Sequence, residues 1–506
     1  MELTAQKERQ KEIIGYAQEK SLILNKGALD LLEKAVNFRE IINELEKENI
    51  LFAEEQHIRP KIARPKFSPA EKKITIEKTG FQAEAKGMPK KLRVLHDYDV
   101  TGQSCSEGTV KNFLELFRGK YDLLSEMLKK RHALQPRPLK RLKSVPKNSK
   151  IDLIGMVFKK WITKNGHLAL QIEDKETKCI VLIMKNEPRL MQTGEMILPD
   201  NVIGIKGIKW GEEMVIAKEI FFPDLQLRSQ KKIKEKVSIA STSDLHVGSR
   251  LFLEKKFYEF LEWINGRGIT QKEKEKVSRI KYLIVSGDNV DGIGIYPTQI
   301  KELNIRDINK QYEEFSRLIQ EIPEYIEIVI CPGQHDAVRW ADPKPAIPKE
   351  VVKELAGYSN IHFVGSPSWL EIEGFKTLVY HGDSLHDLID NVSNLDSSKP
   401  AEAMVELLKK RDLMPSYGLR HPYVPEKKDF MVIREEPDLV YIGDMHHNNY
   451  ADYRGAKVIN SGTWQAQTSY QVKLGHTPTP GIVPIVELDT GKLIETRFIK
   501  EQKEGE

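Results

Sequence analysis

The chain of 506 residues is 40% hydrophobic and 30% charged, with 79 basic and 74 acidic side chains. This length allows about three domains of ordinary size, and the formal net charge of +5 is too small to identify a nucleic-acid partner. Apolar runs stay well short of the roughly 20 residues that span a bilayer, and the N-terminus lacks the apolar core of a secretion signal. The cysteines Cys105, Cys179 and Cys331 form no CxxC pair, which excludes a disulfide scaffold and a thiolate zinc knuckle. We therefore expect a soluble, multidomain, intracellular protein.

The first 150 residues divide into three segments of different pattern. Leucine and isoleucine recur at helical spacings over residues 1–52, which predicts an N-terminal helical domain. Prolines among lysines over 53–94 predict a flexible linker. A helical segment and a basic linker follow over 95–150, and residues 129–150 hold nine Lys or Arg without an acid. Such a block follows a phosphate backbone in some proteins and is a solvated linker in others, and charge alone leaves both open.

Residues 151–225 change to short β-rich segments separated by turn residues such as Asn165 and Gly166. Five strands in so short a length predict a β-barrel of the OB type. Phe158 and Trp161 are of the residue type that stacks on bases, although both suit a core or rim position equally well. The sequence leaves open whether this barrel binds single strands or docks another subunit.

Strand and helix patterns alternate from residue 237 to residue 495, which predicts one large α/β domain, followed by a charged tail over 496–506. Five apolar strands are predicted in it, namely 237–242, 282–287, 326–333, 377–382 and 439–444.

Each of these five strands ends in residues that commonly bind metals. In chain order, the groups at the ends of the five strands are DLH (244–246), GDNVD (287–291), GQHD (333–336), HG (381–382) and GDMH (443–446). Ligands of open α/β sheets gather at the carboxyl ends of the strands, so these side chains can converge although they span two hundred residues. Five such groups in order predict a metal site.

The order of these groups resembles that of calcineurin-like metallophosphoesterases over about residues 237–490. More narrowly, four segments resemble the small subunits of archaeal DNA polymerase D, a family of replicative-polymerase B subunits. They are DYDVTGQSCSEGTVKNFLELFRGKYDLL (97–124), PGQHDAVR (332–339), ELLKKRDLMPSYG (406–418) and VINSGTWQAQT (458–468). The resemblance implies a multidomain α+β protein with a helical region, an OB barrel and a two-sheet phosphoesterase domain. It implies a metal-dependent proofreading 3′–5′ exonuclease in a cytoplasmic, nucleoid-associated complex.

The resemblance also implies the partners and the cofactors. The partners are a large catalytic polymerase subunit, in a heterodimer or heterotetramer, and DNA with a single-stranded 3′ end. A sliding clamp is a further candidate partner, and no membrane is involved. The cofactors are two divalent metal ions, with Mn²⁺ favoured and Fe, Zn or Mg as alternatives.

Carried over residue by residue, the family pattern assigns two groups of ligands and two catalytic residues. Asp244, His246 and His446 match the positions that hold the first metal, and Gln334, His381 and Asp444 those that hold the second. Asp288 matches the carboxylate between both ions. His335 matches the histidine beside the scissile phosphate, and Asp291 the acid that orients it. Two such ions activate a water and neutralise the phosphate oxygens, while His335 stabilises or protonates the departing 3′ oxygen.

Two residues depart from the family pattern, and both fall on the second metal. Gln334 replaces Asn, and Asp444 replaces His, which makes that ligand set richer in hard oxygen donors. We expect the second ion to bind more weakly than the first and to favour manganese over zinc.

The two departures also support an alternative, a non-catalytic assembly subunit with a decayed second metal site. A phosphoesterase of small phosphomonoesters or cyclic nucleotides is a third candidate, although it leaves the barrel unexplained. Of the remaining residues, His447 can replace His446 by a one-residue slip, and His386 and Asp387 are expected on the loop or helix after His381. The lysine run 231–236 is expected to be a solvated linker.

Overall fold

A computed structural model describes residues 2–34, 38–48, 50–54, 57–58, 81–473 and 475–499. The chain divides into two compact units, Met1–Thr79 and Gly80–Glu506. Among the described residues, no helix combines the length and the apolar character that crossing a membrane requires.

The described residues of the first unit form helices and a two-stranded parallel sheet. Its elements are α1 (Glu2–Glu19), β1 (Ile23–Leu24), α2 (Lys26–Lys34), α3 (Phe38–Lys47) and β2 (Phe52–Ala53). Helix α3 illustrates why they pack, because its apolar side chains recur three and four residues apart and share one face. Those side chains, Phe38, Ile41, Ile42 and Leu45, are all buried in the core of this unit.

The second unit begins inside the predicted linker 53–94. Residues 92–94 form strand β3 (Leu92–Val94), which pairs antiparallel with the later strand Ser368–Ile372. The prediction of a linker as far as residue 94 is therefore wrong, because Leu92 and Val94 pack against a buried apolar cluster. Residues 59–80 of that linker lie outside the described residues.

Helix α4 (Val110–His132) is the longest described helix of the second unit, and its start is encoded locally. The Thr109 hydroxyl accepts from the amide of Asn112, and the Asn112 side chain accepts from the amide of Thr109, which forms a capping box. The basic block 129–150 begins in the last turn of α4 and continues along the barrel. Leu139 and Leu142 are buried in the barrel core, so this block is not a free linker.

Lysines of the basic block form ion pairs with neighbouring carboxylates. Lys140 lies 2.8 Å from Glu176, and Lys143 lies 2.9 Å from Glu213. These pairs are exposed and contribute little to stability, but they neutralise part of the charge that was considered for phosphate binding.

The predicted barrel is confirmed as a closed five-stranded barrel in the order β4-β5-β6-β8-β7. Its elements are β4 (Lys150–Ile162), β5 (Leu168–Glu173), β6 (Lys178–Ile183), α5 (Pro188–Glu195), β7 (Val202–Gly211) and β8 (Met214–Phe221). Helix α4 packs against the outside of β4 and β7 through Leu124 and Leu128. A Cβ at Gly204 would lie 2.5 Å from a methyl of Leu134, so the glycine permits this close packing.

Two six-stranded sheets make up the rest of the second unit, in the orders β12-β11-β10-β9-β18-β19 and β16-β17-β15-β14-β13-β3. The first contains β9 (Ser238–Thr242), β10 (Ile280–Ser286), β11 (Glu327–Cys331), β12 (Ile361–Phe363), β18 (Ile482–Glu487) and β19 (Leu493–Arg497). The second adds to β3 the strands β13 (Ser368–Ile372), β14 (Phe375–Val379), β15 (Leu439–Ile442), β16 (Asn449–Tyr453) and β17 (Ala456–Asn460). All five apolar strands predicted from the sequence are present.

The two sheets pack face to face, and helices cover their outer faces. The shared core joins Ile284 and Val329 of the first sheet to Val379 and Tyr441 of the second. The helices are α6 (Glu254–Ile264), α7 (Gln271–Ser278), α8 (Ile308–Gln320), α9 (Ser384–Asn391), α10 (Pro400–Lys410) and α11 (Ser469–Lys473). The first three helices pack on the first sheet, and α9 and α10 pack on the second. The predicted mixed α/β architecture is confirmed.

The predicted charged tail 496–506 begins too early. Strand β19 continues to Arg497, and the ring of Phe498 lies 5.7 Å from that of Trp464, at the edge of the first sheet's core. The prediction missed this packing because one aromatic side chain among charged residues gives no periodic pattern. Residues 500–506 lie outside the described residues.

Candidate metal centre

The loops that carry the predicted ligands meet at one edge of the two sheets. Strands β9, β10 and β11 run parallel, as do β14, β15 and β17. Parallel strands direct their carboxyl ends to the same edge, where an α/β sheet binds its ligands. The sequence motifs lie directly after β9, β10, β11, β14 and β15, and the distances between their side chains show that they converge.

The first cluster consists of Asp244, His246 and His446, all buried. The Nε2 atom of His446 lies 3.3 Å from Asp244 Oδ1 and 3.1 Å from Nε2 of His246. The Nδ1 atom of His246 lies 3.1 Å from a carboxylate oxygen of Asp291. A proton shared on that side leaves the lone pair of Nε2 directed into the cluster, as in histidines that bind metals. Burial lowers the pKa of His246 and favours this neutral form.

The second cluster consists of Asp288, His381 and Asp444. The Nε2 atom of His381 lies 3.4 Å from Asp288 Oδ1 and 3.7 Å from Asp444 Oδ1. On its other side, Nδ1 of His381 donates to the carbonyl of Ser286 at 2.7 Å. Nε2 therefore faces the carboxylates, where it binds a proton or, in the neutral imidazole, offers its lone pair to a metal. The other carboxylate oxygen of Asp288 lies 3.9 Å from His246 Nε2, so Asp288 stands between the two clusters.

The electrostatics of this site favour a positive charge at its centre. Burial would raise the pKa of Asp288, but the His335 and His381 imidazoles outweigh burial and hold the pKa well below its usual range. Burial would lower the pKa of His381, but Asp288 outweighs it and raises the pKa well above its usual range. The surrounding carboxylates therefore attract cations.

The residues present fit divalent cations. Asp244 Oδ1 and His381 Nε2 are buried and make no hydrogen bond of normal geometry among the described residues, although His446 and Asp288 lie 3.3 and 3.4 Å from them. Buried polar atoms without a partner are costly, and buried carboxylates are normally paired or bind metals. Imidazole and carboxylate together suit manganese, iron or zinc. Both unpartnered atoms have the position and the chemistry of metal ligands.

Five residues of the two clusters adopt a left-handed backbone conformation. Their φ angles lie between 49° and 64°. The five residues are Asp244, His246, Asp288, Asp444 and His446. Such angles are uncommon outside glycine, although Asp and His adopt them more readily than most residues. Strain of this kind is of order 1 kcal/mol per residue and is concentrated at functional sites.

Glycines beside the ligands provide the space that these loops need. At Gly333 an added Cβ would overlap Asp288 Oδ1 and lie 2.6 Å from the Asp288 amide. At Gly287, where φ is +96°, it would overlap Nδ1 of His381. A larger residue at either position would displace a member of the second cluster.

His335 lies beside the first cluster, with its ring centre 4.7 Å from that of His246. Its amide donates to Asp288 at 2.9 Å, and its Nδ1 lies 2.7 Å from the carbonyl of Asp291. The sequence assigned the Asp291 carboxylate to the orientation of His335. The carboxylate instead faces His246 and Gln465, and the main-chain carbonyl of Asp291 holds His335.

Gln334 approaches the second cluster through its amide nitrogen. Its Nε2 donates to Asp444 Oδ1 at 3.0 Å, while its Oε1 accepts from the indole nitrogen of Trp340 at 3.4 Å. The sequence assigned the amide oxygen to the second metal. In this arrangement that oxygen contacts Trp340 and is not directed at His381 or Asp288.

The sequence predicts His386 on the loop or helix after His381 and not as a ligand, and the structure brings it to the second cluster. It lies in α9, and its Nε2 is 3.1 Å from Asp444 Oδ2. Burial would lower the pKa of His386, but Asp444 outweighs burial and raises it. No local pattern predicts this contact, because it joins α9 to the loop after β15.

The other lower-ranked candidates lie away from the two clusters or have other contacts. His447 packs its ring edge against His476 at 4.6 Å. The Asp387 carboxylate accepts hydrogen bonds from the amides of Arg420 and His421.

The candidates outside the metal centre also have contacts of their own. Phe158 is exposed, but the Lys178 ammonium lies 3.3 Å from its ring centre and covers one face. Lys231, at the start of the lysine run, binds the carbonyl of Gly374 in the second sheet.

A further buried acidic group lies beside the second cluster and is already neutralised. Asp342, Asp383 and His421 have potential ligand atoms close together. The ammonium of Lys344 lies 2.9 Å from Asp342 and 2.8 Å from Asp383, and all three side chains are fully buried. Lys344 thus supplies the positive charge that a metal would otherwise provide.

Comparison with known proteins identifies the family. The family model that describes the B subunits of DNA polymerases alpha and epsilon matches residues 239–451. The chain is 39% identical over 405 residues to a DNA polymerase II small subunit of Methanocaldococcus jannaschii, covering 80% of this chain and 68% of that one. It is 39% identical to that of Methanothermobacter thermautotrophicus, covering 78% and 82%. It is 30% identical to that of Thermoplasma acidophilum, covering 96% and 92%. The chain therefore belongs to the family of archaeal DNA polymerase II small subunits.

Proposed function

We propose that this small subunit is a metal-dependent 3′–5′ exonuclease that removes mismatched nucleotides from DNA ends for its polymerase. The observation that carries the proposal is the convergence of the two clusters on either side of Asp288. The Asp288 carboxylate lies 3.4 Å from His381 of the second cluster and 3.9 Å from His246 of the first. A carboxylate that can offer one oxygen to each of two neighbouring ions supports hydrolysis of a phosphodiester by two metal ions.

The protein's own residues have separate roles in this proposal. Bound ions would neutralise the phosphate and activate a water for attack. Asp244, His246 and His446 would hold one ion, and His381 and Asp444 the other, with Asp288 between them. His335 is held by the Asp291 carbonyl at Nδ1, so its Nε2 is the atom free to act on the departing 3′ oxygen. Asp291 orients His246 through its carboxylate and His335 through its carbonyl.

The wider fold agrees with this proposal. Two facing sheets with outer helices, and ligands at the strand ends, are the arrangement expected of a calcineurin-like phosphoesterase domain. The closed five-stranded barrel agrees with an OB-type module. In this proposal the protein acts with a large catalytic subunit, and a single-stranded 3′ end of DNA is the substrate.

The test uses the full-length protein with a 3′-mispaired primer and manganese. We expect His335→Ala to slow cleavage by on the order of 10²- to 10⁴-fold, the usual contribution of a general acid or base. Elemental analysis should show unchanged metal content, because His335 is not assigned as a ligand. His167→Ala, in the turn between β4 and β5, is the matched control. Cleavage that is unaffected by His335→Ala would exclude the role assigned to this residue.

A second candidate function is a non-catalytic assembly subunit. The observation that favours it is the orientation of Gln334, whose amide oxygen contacts Trp340 and is not directed at the second cluster. Metal stoichiometry and nuclease activity, with and without the large subunit, separate the two candidates. Two bound ions with metal-dependent cleavage would exclude the assembly role, and a protein without bound metal would support it.

A further inference from the structure

Trp340 is an exposed aromatic side chain at the rim of the metal centre. It is 56% exposed, and it follows the loop that carries Gln334 and His335. Its indole nitrogen donates to Gln334 at 3.4 Å, and its ring meets the edge of His421 at 6.4 Å. Gln334 in turn contacts Asp444, so a single side chain separates the indole from the second cluster.

The backbone on both sides of Trp340 is held firmly. The Arg339 guanidinium fixes this segment, because it donates to the carbonyl of Pro343 at 2.8 Å and to the Glu426 carboxylate at 2.9 Å. Asp342 is fully buried, and its carbonyl accepts from the amide of Val424 at 2.8 Å. A large aromatic ring is thus presented to solvent from a fixed segment, so little conformational entropy is lost when a ligand binds to it.

Trp340 differs from the other exposed tryptophan, Trp210 in the barrel. Trp210 is 48% exposed, but the Lys147 ammonium lies 4.6 Å from its ring centre. Within the described part of the chain, no lysine or arginine lies over the ring of Trp340. The hydrogen-bonding need of its indole nitrogen is met by Gln334, so only the apolar ring face is left to interact.

We propose that Trp340 is a stacking platform for the base of the 3′-terminal nucleotide. The inference rests on the proposed nuclease function, and it adds a subsite that recognises a nucleobase. Aromatic side chains bind single strands by stacking, which tolerates any sequence because every base has a π-face. A platform beside the metal centre that ignores base identity suits an enzyme that must accept any mispaired nucleotide.

The sides of the metal centre determine which nucleotide stacks. The ring of His335 packs against His246 of the first cluster, and its amide donates to Asp288 between the clusters. In the proposed function its ring meets the departing 3′ oxygen, which belongs to the upstream nucleotide. Gln334 and Trp340 lie on the side of the second cluster. The terminal nucleotide, on the opposite side of the scissile bond, is therefore the one whose base reaches Trp340.

A paired base is stacked within its duplex and does not present a free face. Unpairing costs least for a mismatched base. The platform therefore binds frayed, mispaired ends in preference to paired ends. Both this subsite and the stability of the duplex then contribute to the selection of mismatched ends.

The test measures binding without cleavage. The full-length protein is titrated with calcium in place of manganese against a short 5′-labelled single-stranded oligodeoxynucleotide. Its 3′-terminal linkage is a phosphorothioate that resists cleavage, and its 3′-terminal position carries the intact base or an abasic site. We expect Trp340→Ala to weaken binding of the intact probe by about 5- to 150-fold, the range for one stacked base. Trp340→Phe keeps a ring face and should retain most of the affinity, and Trp210→Ala should bind as the unmodified protein does.

The abasic probe separates stacking from an indirect structural role. If Trp340 stacks on the terminal base, Trp340→Ala should hardly change the affinity for the abasic probe, because that probe lacks the base on which the indole would stack. An equal loss of affinity with both probes would overturn the proposal. Binding by Trp340→Phe that is as weak as binding by Trp340→Ala would also overturn it, because the indole N–H contact with Gln334 would then account for the effect. Because binding is measured without turnover, a protein that binds through Trp340 but does not cleave contradicts only the nuclease function.

Discussion

The two clusters of the metal centre differ in how their residues are arranged. In the first, one carboxylate meets two imidazoles whose Nε2 atoms lie 3.1 Å apart. In the second, two carboxylates flank His381, while Gln334 and His386 contact Asp444 from the other side. The first is a compact nitrogen-rich site, and the second is an oxygen-rich site with an additional outer histidine.

The comparison indicates that the second cluster depends on a contact between a carboxylate and an outer imidazole, which the first cluster lacks among the described residues. The imidazole of His386 lies 3.1 Å from the carboxylate of Asp444. A carboxylate hydrogen-bonded to a histidine is a common outer arrangement around metals. The second cluster is thus rearranged, and each variant below tests whether it still binds an ion.

Asp288→Ala should have the largest effect, because it removes the carboxylate between the clusters. We expect loss of both ions and of cleavage. The loss should exceed the roughly 10- to 100-fold fall in metal affinity or activity that follows when a residue hydrogen-bonded to a metal ligand is removed. Elemental analysis and nuclease rates measure this, with the exposed Asp390→Ala in α9 as control. Retention of both ions would show that the clusters bind independently and that Asp288 bridges nothing.

Asp444→His should change the second site and leave the first intact. Imidazole is a softer donor than carboxylate, so the variant should bind zinc more tightly at the second site and lose part of the preference for manganese. Titrating the nuclease rate with each metal, for both proteins, gives the measurement. The same metal preference in both would mean that Asp444 is not a ligand.

His386→Gln should weaken the second site by about 10- to 100-fold if the imidazole orients Asp444 or binds the ion itself. The affinity of the first site should not change, because within the described residues His386 contacts no member of the first cluster. Calorimetric metal titration resolves the two sites. An equal loss at both sites would contradict the separation drawn between them.

The sequence predicted the elements whose chemistry is local and missed contacts that depend on packing. Apolar strands followed by Asp or His were sufficient to place Asp244, Asp288 and His381 at one edge, since parallel strands fix where their ends lie. The contact of His386 with Asp444 joins α9 to the loop after β15 and has no local pattern. The role of the Asp291 carboxylate and the orientation of the Gln334 amide were missed for the same reason, because neighbours distant in sequence determine them.

The smallest effect is expected from Gln334→Asn, which restores the residue type of the family. Asn is one methylene shorter, so it should lose the contact with Trp340 and direct its amide oxygen towards the second cluster. We expect the affinity of the second ion to rise by a few-fold, on the order of one net hydrogen bond, while the first site is unchanged. Metal titration and crystallography with manganese would measure both. If the affinity of the second ion falls instead, the Gln334 contact with Asp444 supports the second site, and the longer side chain is part of the rearrangement that includes His386.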